Sequence, residues 1–356
     1  MRRVSAKETN SMNLTEPKLE PDDSVACCYS TEPLSQLLKS RDVLAVVSPS
    51  EPCEPGNDPR CYGCGLPSLT TEIHHEVWYS SGPVQTGIEN GCHWSQNDEM
   101  LFAGLWVDES DFDSQHEAVY HAYNKLLSFI AEKGFPKIVR AWNYIPDINN
   151  GEGNLERYRQ FCSARALAFT DCHYDWADYP SACAIGHRGD KSVIYFLSGK
   201  ASIVHIENPR QKSAYHYPPE YGPASPSFAR ASLARWRSGS QLYISGTASI
   251  IGHKSYHRDD LNAQLQTTFD NIDTLLRNSA HEAGLTKPPA MSLLKVYIRE
   301  ATDFPTVEQR VSQHFPGVPA LYLQADICRS ELLVEIDGLC DLDSSLFSQG
   351  ATHHTL

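Results

Sequence analysis

The segment QLYISGTA, residues 241–248, carries Leu, Tyr and Ile in succession before it reaches the small residues of a turn. A short apolar run with aromatic and β-branched residues that ends in a turn is typical of a β-strand. Further along the chain, the apolar residues of segment 260–283 recur at helical spacing, and LLKVYI, residues 293–298, is again strand-like. The second half of the chain therefore predicts a strand, a long amphipathic helix and another strand. Segments 320–327 and 331–336 are expected to close it as a hairpin.

The first half of the chain carries the same order of patterns. Strand-like segments 101–107 and 137–145 alternate with helical patterns at 114–133 and 154–168. A repeated order of strands and helices predicts two α+β domains. We place them at residues 66–210 and 211–350, packed side by side as an internal pseudo-dimer.

Residues 1–65 have a different composition, in which Ser, Pro, Glu and Asp dominate. Such a segment buries little apolar surface, so we expect a flexible N-terminal arm. Within it, only Leu34 to Val47 carries enough apolar residues to pack against the body.

Composition and charge argue against several classes of function. The 356 residues include 30 Lys and Arg against 44 Asp and Glu, a formal charge of −14, which argues against nucleic acid as the main partner. No apolar run approaches the roughly 20 residues needed to span a bilayer, and no secretory signal is recognisable. The 11 cysteines show no disulfide framework. The pair Cys61 and Cys64 has no second C-x-x-C to complete a zinc site, and the spacing of His74, His75 and Cys92 does not indicate one. We expect a cytoplasmic protein with reduced thiols, no metal and no membrane partner.

Several short segments of the second half resemble the RidA/YjgF family of small trimeric α+β domains. The matching segments are 245–248, 269–272, 283–285, 295–298, 319–320 and 333–336. In that family the imine deaminases carry an arginine after the Pro-Ala step to hold a substrate carboxylate, and here Leu321 follows Ala320. The resemblance implies RidA/YjgF-like (chorismate-mutase-like) α+β domains, and the missing arginine argues against imine hydrolysis.

A longer resemblance, to the chorismatases, runs in order from about residue 70 to the end of the chain. It is carried by AWNYIPDIN (141–149), ERYRQFC (156–162) with Arg165, YPSA (179–182), AYHYPP (214–219) and YGPASPSFAR (221–230). This family removes the enolpyruvyl group of chorismate without a metal or organic cofactor. The resemblance therefore implies chorismate as the substrate and no cofactor.

Chorismate carries two carboxylates, which arginine suits because its planar guanidinium group makes two parallel hydrogen bonds. Among the matched segments, Arg165 and Arg230 are the first candidates for this role, and Arg157 is a third. Tyr158 and Arg165 are seven residues apart on the predicted helix, hence two turns apart on one face. The alternative for each arginine is a surface ion pair, as Glu156 would allow for Arg157.

Four tyrosines are candidates for lining the site of the chorismate ring. Tyr217 precedes the Pro-rich segment 218–226 and Arg230 follows it, so a stiff loop would hold both side chains. The other three are Tyr144, Tyr158 and Tyr215. Tyrosines at strand and helix positions often belong to the core instead.

Cleavage of an enol ether requires a proton on its terminal carbon, a task for a carboxylic acid with a raised pKa. Glu335 lies in LLVEI, residues 332–336, where apolar neighbours would raise its pKa if it faces a pocket. The alternative is an edge-strand glutamate that faces solvent. With the family resemblance, we predict Glu335 as the catalytic acid.

The resemblance also implies that the chorismatases divide into branches that make different products. A cysteine seven residues before the glutamate accompanies the branch that makes 3-hydroxybenzoate and pyruvate, some members of which also release 4-hydroxybenzoate. Cys328 stands seven residues before Glu335, so we predict a 3-hydroxybenzoate synthase with Cys328 and Glu335 as its catalytic pair. Cys328 as a buried small hydrophobe is the alternative.

Two other functions remain open at this point. The nearer one is a chorismatase that hydrolyses chorismate to 3,4-dihydroxycyclohexa-1,5-diene carboxylate and pyruvate. The more distant one is a RidA-like binding protein without catalysis, or an imine deaminase. The sequence also leaves open whether the chain is a monomer or a trimer.

Overall fold

The N-terminal part of the protein forms a four-stranded sheet. The structure is a computed structural model that describes residues 26–49 and 58–347. The sheet has the order β1-β4-β2-β3, and its elements are β1 (Ala26–Ser30), α1 (Leu34–Leu37), β2 (Val43–Ser48), β3 (Cys61–Gly63) and β4 (His75–Tyr79).

This sheet corrects the prediction of a flexible arm over residues 1–65 for the part that the structure describes, residues 26–49 and 58–65. Every residue of β2 is buried, and the Tyr29 hydroxyl in β1 donates a hydrogen bond of 2.7 Å to the Leu294 carbonyl of the second half. The expectation that Leu34 to Val47 packs against the body is confirmed. The apolar content of β1 to β3, interrupted by Pro and Ser, is sufficient because it adds to an existing core. Residues 1–25 and 50–57 lie outside the described residues.

The first half of the body is one sheet covered by two helices. It contains β5 (Gln85–Glu89), β6 (Cys92–Gln96), β7 (Met100–Asp108), α2 (Gln115–Glu132), β8 (Lys137–Pro146), α3 (Arg157–Asp171), β9 (Ser181–His187) and β10 (Lys191–Gly199). Ser114 begins α2 because its side chain accepts the Glu117 amide hydrogen bond. The apolar sides of both helices pack on one face of the sheet, around Leu126, Phe161 and Phe196.

The second half repeats this architecture. It contains β11 (Ser202–Ile206), β12 (Ala231–Trp236), β13 (Gly239–Thr247), β14 (Ile250–Ile251), β15 (Lys254–Ser255), α4 (Leu261–Ala283), β16 (Leu293–Ile298), α5 (Phe304–His314), β17 (Ala320–Gln324), β18 (Asp326–Ile327) and β19 (Val334–Leu342). Asp260 caps the start of α4, and Gly284 ends it in the left-handed conformation with φ of 67°.

The strand orders of the two halves correspond. The first sheet runs β9-β8-β10-β7-β6-β5 and the second β17-β16-β19-β13-β12-β11. In each, the strands joined through the second helix are parallel, β8 with β9 and β16 with β17, while the other pairs are antiparallel. Because β11 pairs with β12, the second half begins near Ser202, earlier than the predicted boundary at residue 210.

The predicted closing hairpin of segments 320–327 and 331–336 is wrong. The β16 strand lies between β17 and β19, and the short β18 leaves this sheet to pair with β9 of the first half. The chain therefore crosses between the two sheets just before Cys328, which brings this residue to their junction.

Buried ion pairs join the three sheets where they face one another. Arg140 of β8 donates to Asp337 of β19 at 2.7 Å, and Lys295 of β16 pairs with Glu76 of β4. The side chains of all four residues are at most 5% exposed. The Trp78 indole also donates to Glu76 at 2.7 Å. These charges are stable in the interior because each has an opposite charge beside it.

Loss of one partner from such a pair should destabilise the protein strongly. Lys295→Met leaves the Glu76 carboxylate buried without its cation, so we expect the free energy of unfolding to fall by about 3–5 kcal/mol in urea titrations. Lys191→Met removes a half-exposed lysine 3.9 Å from Asp108 and should cost less than about 1 kcal/mol.

A double variant supplies the control for this prediction. Glu76→Gln combined with Lys295→Met removes both charges and keeps an acceptor for Trp78, so it should recover much of the loss. Equal stabilities of Lys295→Met and Lys191→Met would contradict a structural role for the buried pair.

Candidate active site

The interface between the two halves contains a small cavity with Glu335 on its wall. Alternation along β19 turns Val334 and Ile336 toward the helices, so Glu335 faces the other sheet, where it is 4% exposed. The cavity has a volume of about 30 Å³, enough for one or two water molecules. Its lining residues come from both halves: Tyr158, Arg165, Ala182, Cys183, Ala184, Phe228, Gly246, Cys328 and Glu335.

Burial sets the protonation state of Glu335. Loss of hydration raises the pKa of its carboxyl group to about 8, and the negative charge of Asp337 adds to the increase. Arg140 and Arg230 act in the opposite direction but do not offset burial. Glu335 is therefore mostly a neutral acid at neutral pH, able to donate a proton.

Gly246 provides the space that the Glu335 side chain occupies. A Cβ atom at this position would lie 1.9 Å from Glu335 Oε1 and 3.3 Å from the Cys183 Cβ. The first distance is far inside van der Waals contact. Glycine is therefore required at residue 246 because of the carboxyl group opposite it.

Two arginines at the site are buried without an ion pair, although the charge of Arg230 acts on the nearby carboxyl group of Glu207. Arg165 is 2% exposed and Arg230 is 3% exposed, and no carboxylate within the described residues lies within 4 Å of either guanidinium group. The Nε atom of each also has no hydrogen-bond partner there. Since an unpaired buried cation is costly, this arrangement suits an anionic ligand.

Neighbouring aromatic rings hold the two arginines in place. Arg165 on α3 lies over the Phe161 ring, 4.8 Å from its centre. Arg230 donates to the Tyr217 hydroxyl at 2.7 Å and to the Lys212 carbonyl at 2.9 Å. Tyr217 is thus placed beside a candidate ligand-binding arginine, as the Pro-rich loop suggested.

Three predicted site residues lie elsewhere. Arg157 donates two hydrogen bonds of 2.8 Å to the carboxylate of Glu109 and does not line the cavity. Tyr144 is buried in the core between the sheets. Tyr215 stacks on Trp176 with ring centres 6.0 Å apart.

Cys328 and Glu335 share the wall of the cavity. Cys328 follows β18, which joins the edge of the first sheet, so the crossing of the chain brings the thiol opposite β19. Burial, and then the charge of Glu335, raise the pKa of Cys328 well above its ordinary value. The side chain is therefore a neutral thiol rather than a nucleophilic thiolate.

The sequence reasoning missed Cys183 and Arg329. Cys183 lines the cavity. Arg329 donates from Nη1 to the His253 carbonyl and to Ser255 Oγ, both at 3.0 Å, and its guanidinium lies 4.2 Å from the centre of the Tyr221 ring. The position of Arg329 next to Cys328 in the chain was the one signal that could have identified it.

Two negative observations concern the described residues alone. In residues 26–49 and 58–347, no three His, Cys, Asp or Glu side chains are grouped as metal ligands would be. Over the same ranges, no helix has the length and apolar character needed to cross a membrane.

Comparison with known proteins finds relatives that are named chorismatase or 3-hydroxybenzoate synthase. Residues 76–198 match the family described as "Chorismatase FkbO/Hyg5-like, N-terminal". A 3-hydroxybenzoate synthase of Streptomyces hygroscopicus is 37% identical over 322 residues, which cover 84% of this chain and 92% of the relative. A chorismatase of the same organism is 34% identical over 75% of this chain and 79% of its own. A chorismatase crystal structure superposes with a TM-score of 0.80 at 29% identity, covering 89% of this chain and 98% of the other.

A methyl group at residue 246 should displace Glu335. Gly246→Ala is expected to cost about 1–3 kcal/mol of unfolding free energy, the usual range for overpacking a core. Gly82→Ala is the matched control, since a Cβ there meets nothing within 4 Å. Shortening the opposing side chain, in Gly246→Ala with Glu335→Ala, should restore part of the loss. If Gly246→Ala is as stable as Gly82→Ala, the close approach of Glu335 to Gly246 is wrong.

Proposed function

The chain belongs to the FkbO/Hyg5-like chorismatase family, and we propose that it converts chorismate to 3-hydroxybenzoate and pyruvate. The observation that carries the proposal is a single carboxylic acid, Glu335, with a pKa of about 8 in a cavity that the buried Arg165 also lines. The buried Arg230 is near enough for its charge to act on Glu335. A dicarboxylate substrate with an acid-labile enol ether matches this arrangement in charge and in chemistry. The relative named 3-hydroxybenzoate synthase supports the choice of product.

Glu335 begins the reaction by donating its proton to the terminal methylene carbon of the enolpyruvyl group. Positive charge then develops on the carbon bonded to the ether oxygen, which weakens the bond between that oxygen and the ring. The oxygen of the neighbouring ring hydroxyl forms a bond to the carbon that the ether oxygen leaves, so pyruvate departs and an epoxide spans the two ring carbons. The hydroxyl proton released in this step replaces the one that Glu335 supplied. The epoxide then opens at the carbon that first carried the hydroxyl group, the other carbon loses its proton and the oxygen gains one, which gives 3-hydroxybenzoate without consuming water.

The neutral thiol of Cys328 favours this outcome over hydrolysis. Hydrolysis to the diene diol requires a water molecule at the reacting carbon, whereas the cavity is small and Cys328 occupies part of its wall. A thiol with a raised pKa is a weakly polar group that neither attacks the substrate nor holds water firmly. The hydrolytic chorismatase is the second candidate function, because a relative at 34% identity bears the name chorismatase.

We also propose that the two halves are RidA/YjgF-like domains packed as an internal pseudo-dimer. The matching strand orders and the matching parallel pairs support this relationship. Of the described cysteines, nine carry free thiols, which fits the predicted cytoplasmic location. Cys61 is the exception to the expected reduced thiols, since it is disulfide-bonded.

Removal of the acid should abolish turnover. Glu335→Gln keeps the shape of the side chain but cannot donate the proton, so pyruvate release from chorismate should fall at least about a hundredfold. In the wild type, kcat should decline as the pH rises through about 8, because ionisation of Glu335 removes the reactive form. Glu308→Gln, on the exposed side of α5, should leave both quantities unchanged. A Glu335→Gln rate within a few-fold of wild type would eliminate this residue as the acid.

Substitution of Cys328 should change the product rather than the rate. Cys328→Ala retains Glu335, so pyruvate release should persist, while the ring product shifts from hydroxybenzoate toward the diene diol. Such a change alters partitioning after the first barrier and not the barrier itself. Pyruvate and hydroxybenzoate are quantified in the same reaction by an enzymatic assay and by chromatography. An unchanged ratio of hydroxybenzoate to pyruvate would leave Cys328 a packing residue only.

A further inference from the structure

The cavity beside Glu335 is too small for the substrate proposed for it. Its volume is about 30 Å³, whereas sites that enclose a small-molecule ligand measure roughly 300–1,000 Å³. Chorismate has a six-membered ring, an enolpyruvyl group and a second carboxylate, so it cannot enter the cavity as the structure describes it. One part of the wall therefore has to move before the substrate binds.

Most of the cavity wall is held in place. Its lining residues in β9, β13, β19 and α3 are fixed by the hydrogen bonds of the two sheets and by the packing of the helix. Cys328 lies outside these elements, but Arg299 fixes its turn by donating to the carbonyl groups of Ile327 at 3.1 Å and Arg329 at 3.0 Å. Phe228 is the remaining lining residue. The wall can therefore open where Phe228 and the loop before it lie.

The loop that ends at Phe228 has no counterpart in the first half of the body. There, residues 90–91 alone join β5 to β6. The corresponding strands of the second half, β11 and β12, are joined by residues 207–230. We call residues 213–228 the covering loop. It is an addition to the architecture that the two halves share, and it lies at the cavity that contains the acid.

Side chains rather than the backbone attach the covering loop to the body. Within the described residues, its backbone-to-backbone hydrogen bonds all close inside the loop, in two short 3₁₀ turns. The His253 ring, in the β14–β15 hairpin, lies 3.1 Å from the Tyr221 hydroxyl and 3.4 Å from the Glu220 carboxylate. The Arg329 guanidinium lies over the Tyr221 ring, 4.2 Å from its centre. Polar contacts of this kind break locally at a small cost in free energy.

The covering loop extends from this hairpin to α3. On the α3 side, a Cβ atom at Gly222 would lie 3.3 Å from the Arg159 Cβ. Arg159 follows the lining residue Tyr158 in the chain, and Arg329 follows the lining residue Cys328. The loop therefore contacts the immediate neighbours of the cavity wall on two sides and covers the space between them.

We propose that the covering loop is a lid, which leaves its contacts with His253 and Arg329 to admit chorismate and closes over the substrate before Glu335 donates its proton. This inference rests on the proposed function. Closure keeps bulk water away from the reacting carbon, a condition that the aromatic product requires. A lid also explains how a substrate reaches an acid that the structure describes as buried.

A disulfide between the covering loop and α3 tests the movement directly. In Arg159→Cys with Gly222→Cys the two Cβ atoms would lie 3.3 Å apart, slightly closer than the roughly 3.5–4.5 Å of disulfides. The linked protein should lose pyruvate release from chorismate, and reduction should restore it. Arg159 pairs with Glu156 at 2.9 Å and does not line the cavity. Each single variant should therefore be as active after oxidation as before it.

His253→Ala supplies a second test, which needs no turnover. In a Glu335→Gln background, where chorismate binds without reacting, it should raise the association rate constant roughly two- to tenfold, the factor that corresponds to one lost hydrogen bond. The reason is that the open form becomes more populated. Stopped-flow tryptophan fluorescence follows the association, since Trp176 stacks on Tyr215 of the covering loop. His281→Ala, at a side chain that is 85% exposed near the end of α4, should leave this rate unchanged.

Two results would overturn the lid. One is a disulfide-linked protein that turns over chorismate as fast as its reduced form, and the other is an association rate that His253→Ala leaves unchanged. If the two cysteines do not form the bond, which mass spectrometry of the linked peptides reports, the association rate decides. A wild type that binds chorismate without releasing pyruvate would instead refute the proposed function, because association is measured without turnover.

Discussion

Two carboxyl groups on one strand face the same buried interface, and the interior supplies an ion-pair partner to one of them. Asp337 pairs with Arg140 across the junction of the two sheets at 2.7 Å. Glu335, two residues earlier on the same face of β19, has no ion-pair partner in the described chain and lies near the charge of Asp337. Burial of an unpaired carboxyl beside a paired one keeps the proton on Glu335. The rest of the site is arranged around that proton.

The N-terminal sheet helps to maintain the buried, paired charges beside Glu335. Glu76 of β4 neutralises Lys295, and Lys295 lies in β16, the strand that pairs with β19. β1 contacts β16 through the Tyr29 hydrogen bond. The segment therefore covers part of the interface and supplies the ion-pair partner of a buried cation that lies opposite Asp337 in the sheet. This accounts for its burial in spite of a composition rich in proline and serine.

Much of the body could be predicted because its helices and strands are strongly periodic. The long helix α4 and the strands β7, β8 and β16 lie where apolar spacing placed them. Strand partners were less predictable, since β18 pairs with the other half and no local pattern reveals that choice. Packing of β1 to β3 was also missed, because it depends on a core supplied by residues far away in the sequence.

The residues of the candidate active site were likewise predictable only in part. Glu335, Cys328, Tyr158 and Arg165 were identified through family resemblance, and the structure brings these four together on one cavity. Arg157 was indistinguishable from a ligand-binding arginine until its pairing with Glu109 was visible. Arg329 was missed because nothing in the sequence shows that a charged residue is enclosed between two tyrosine rings without an acid nearby.

The central claim is that Glu335 carries a proton at neutral pH, and infrared difference spectroscopy tests it directly. The spectrum of the wild type minus that of Glu335→Gln isolates the vibrations of this one carboxyl group. The account predicts the carbonyl band of a protonated acid at about pH 7, replaced by carboxylate bands with half-conversion near pH 8. A difference spectrum that shows only carboxylate bands at about pH 7 would contradict it.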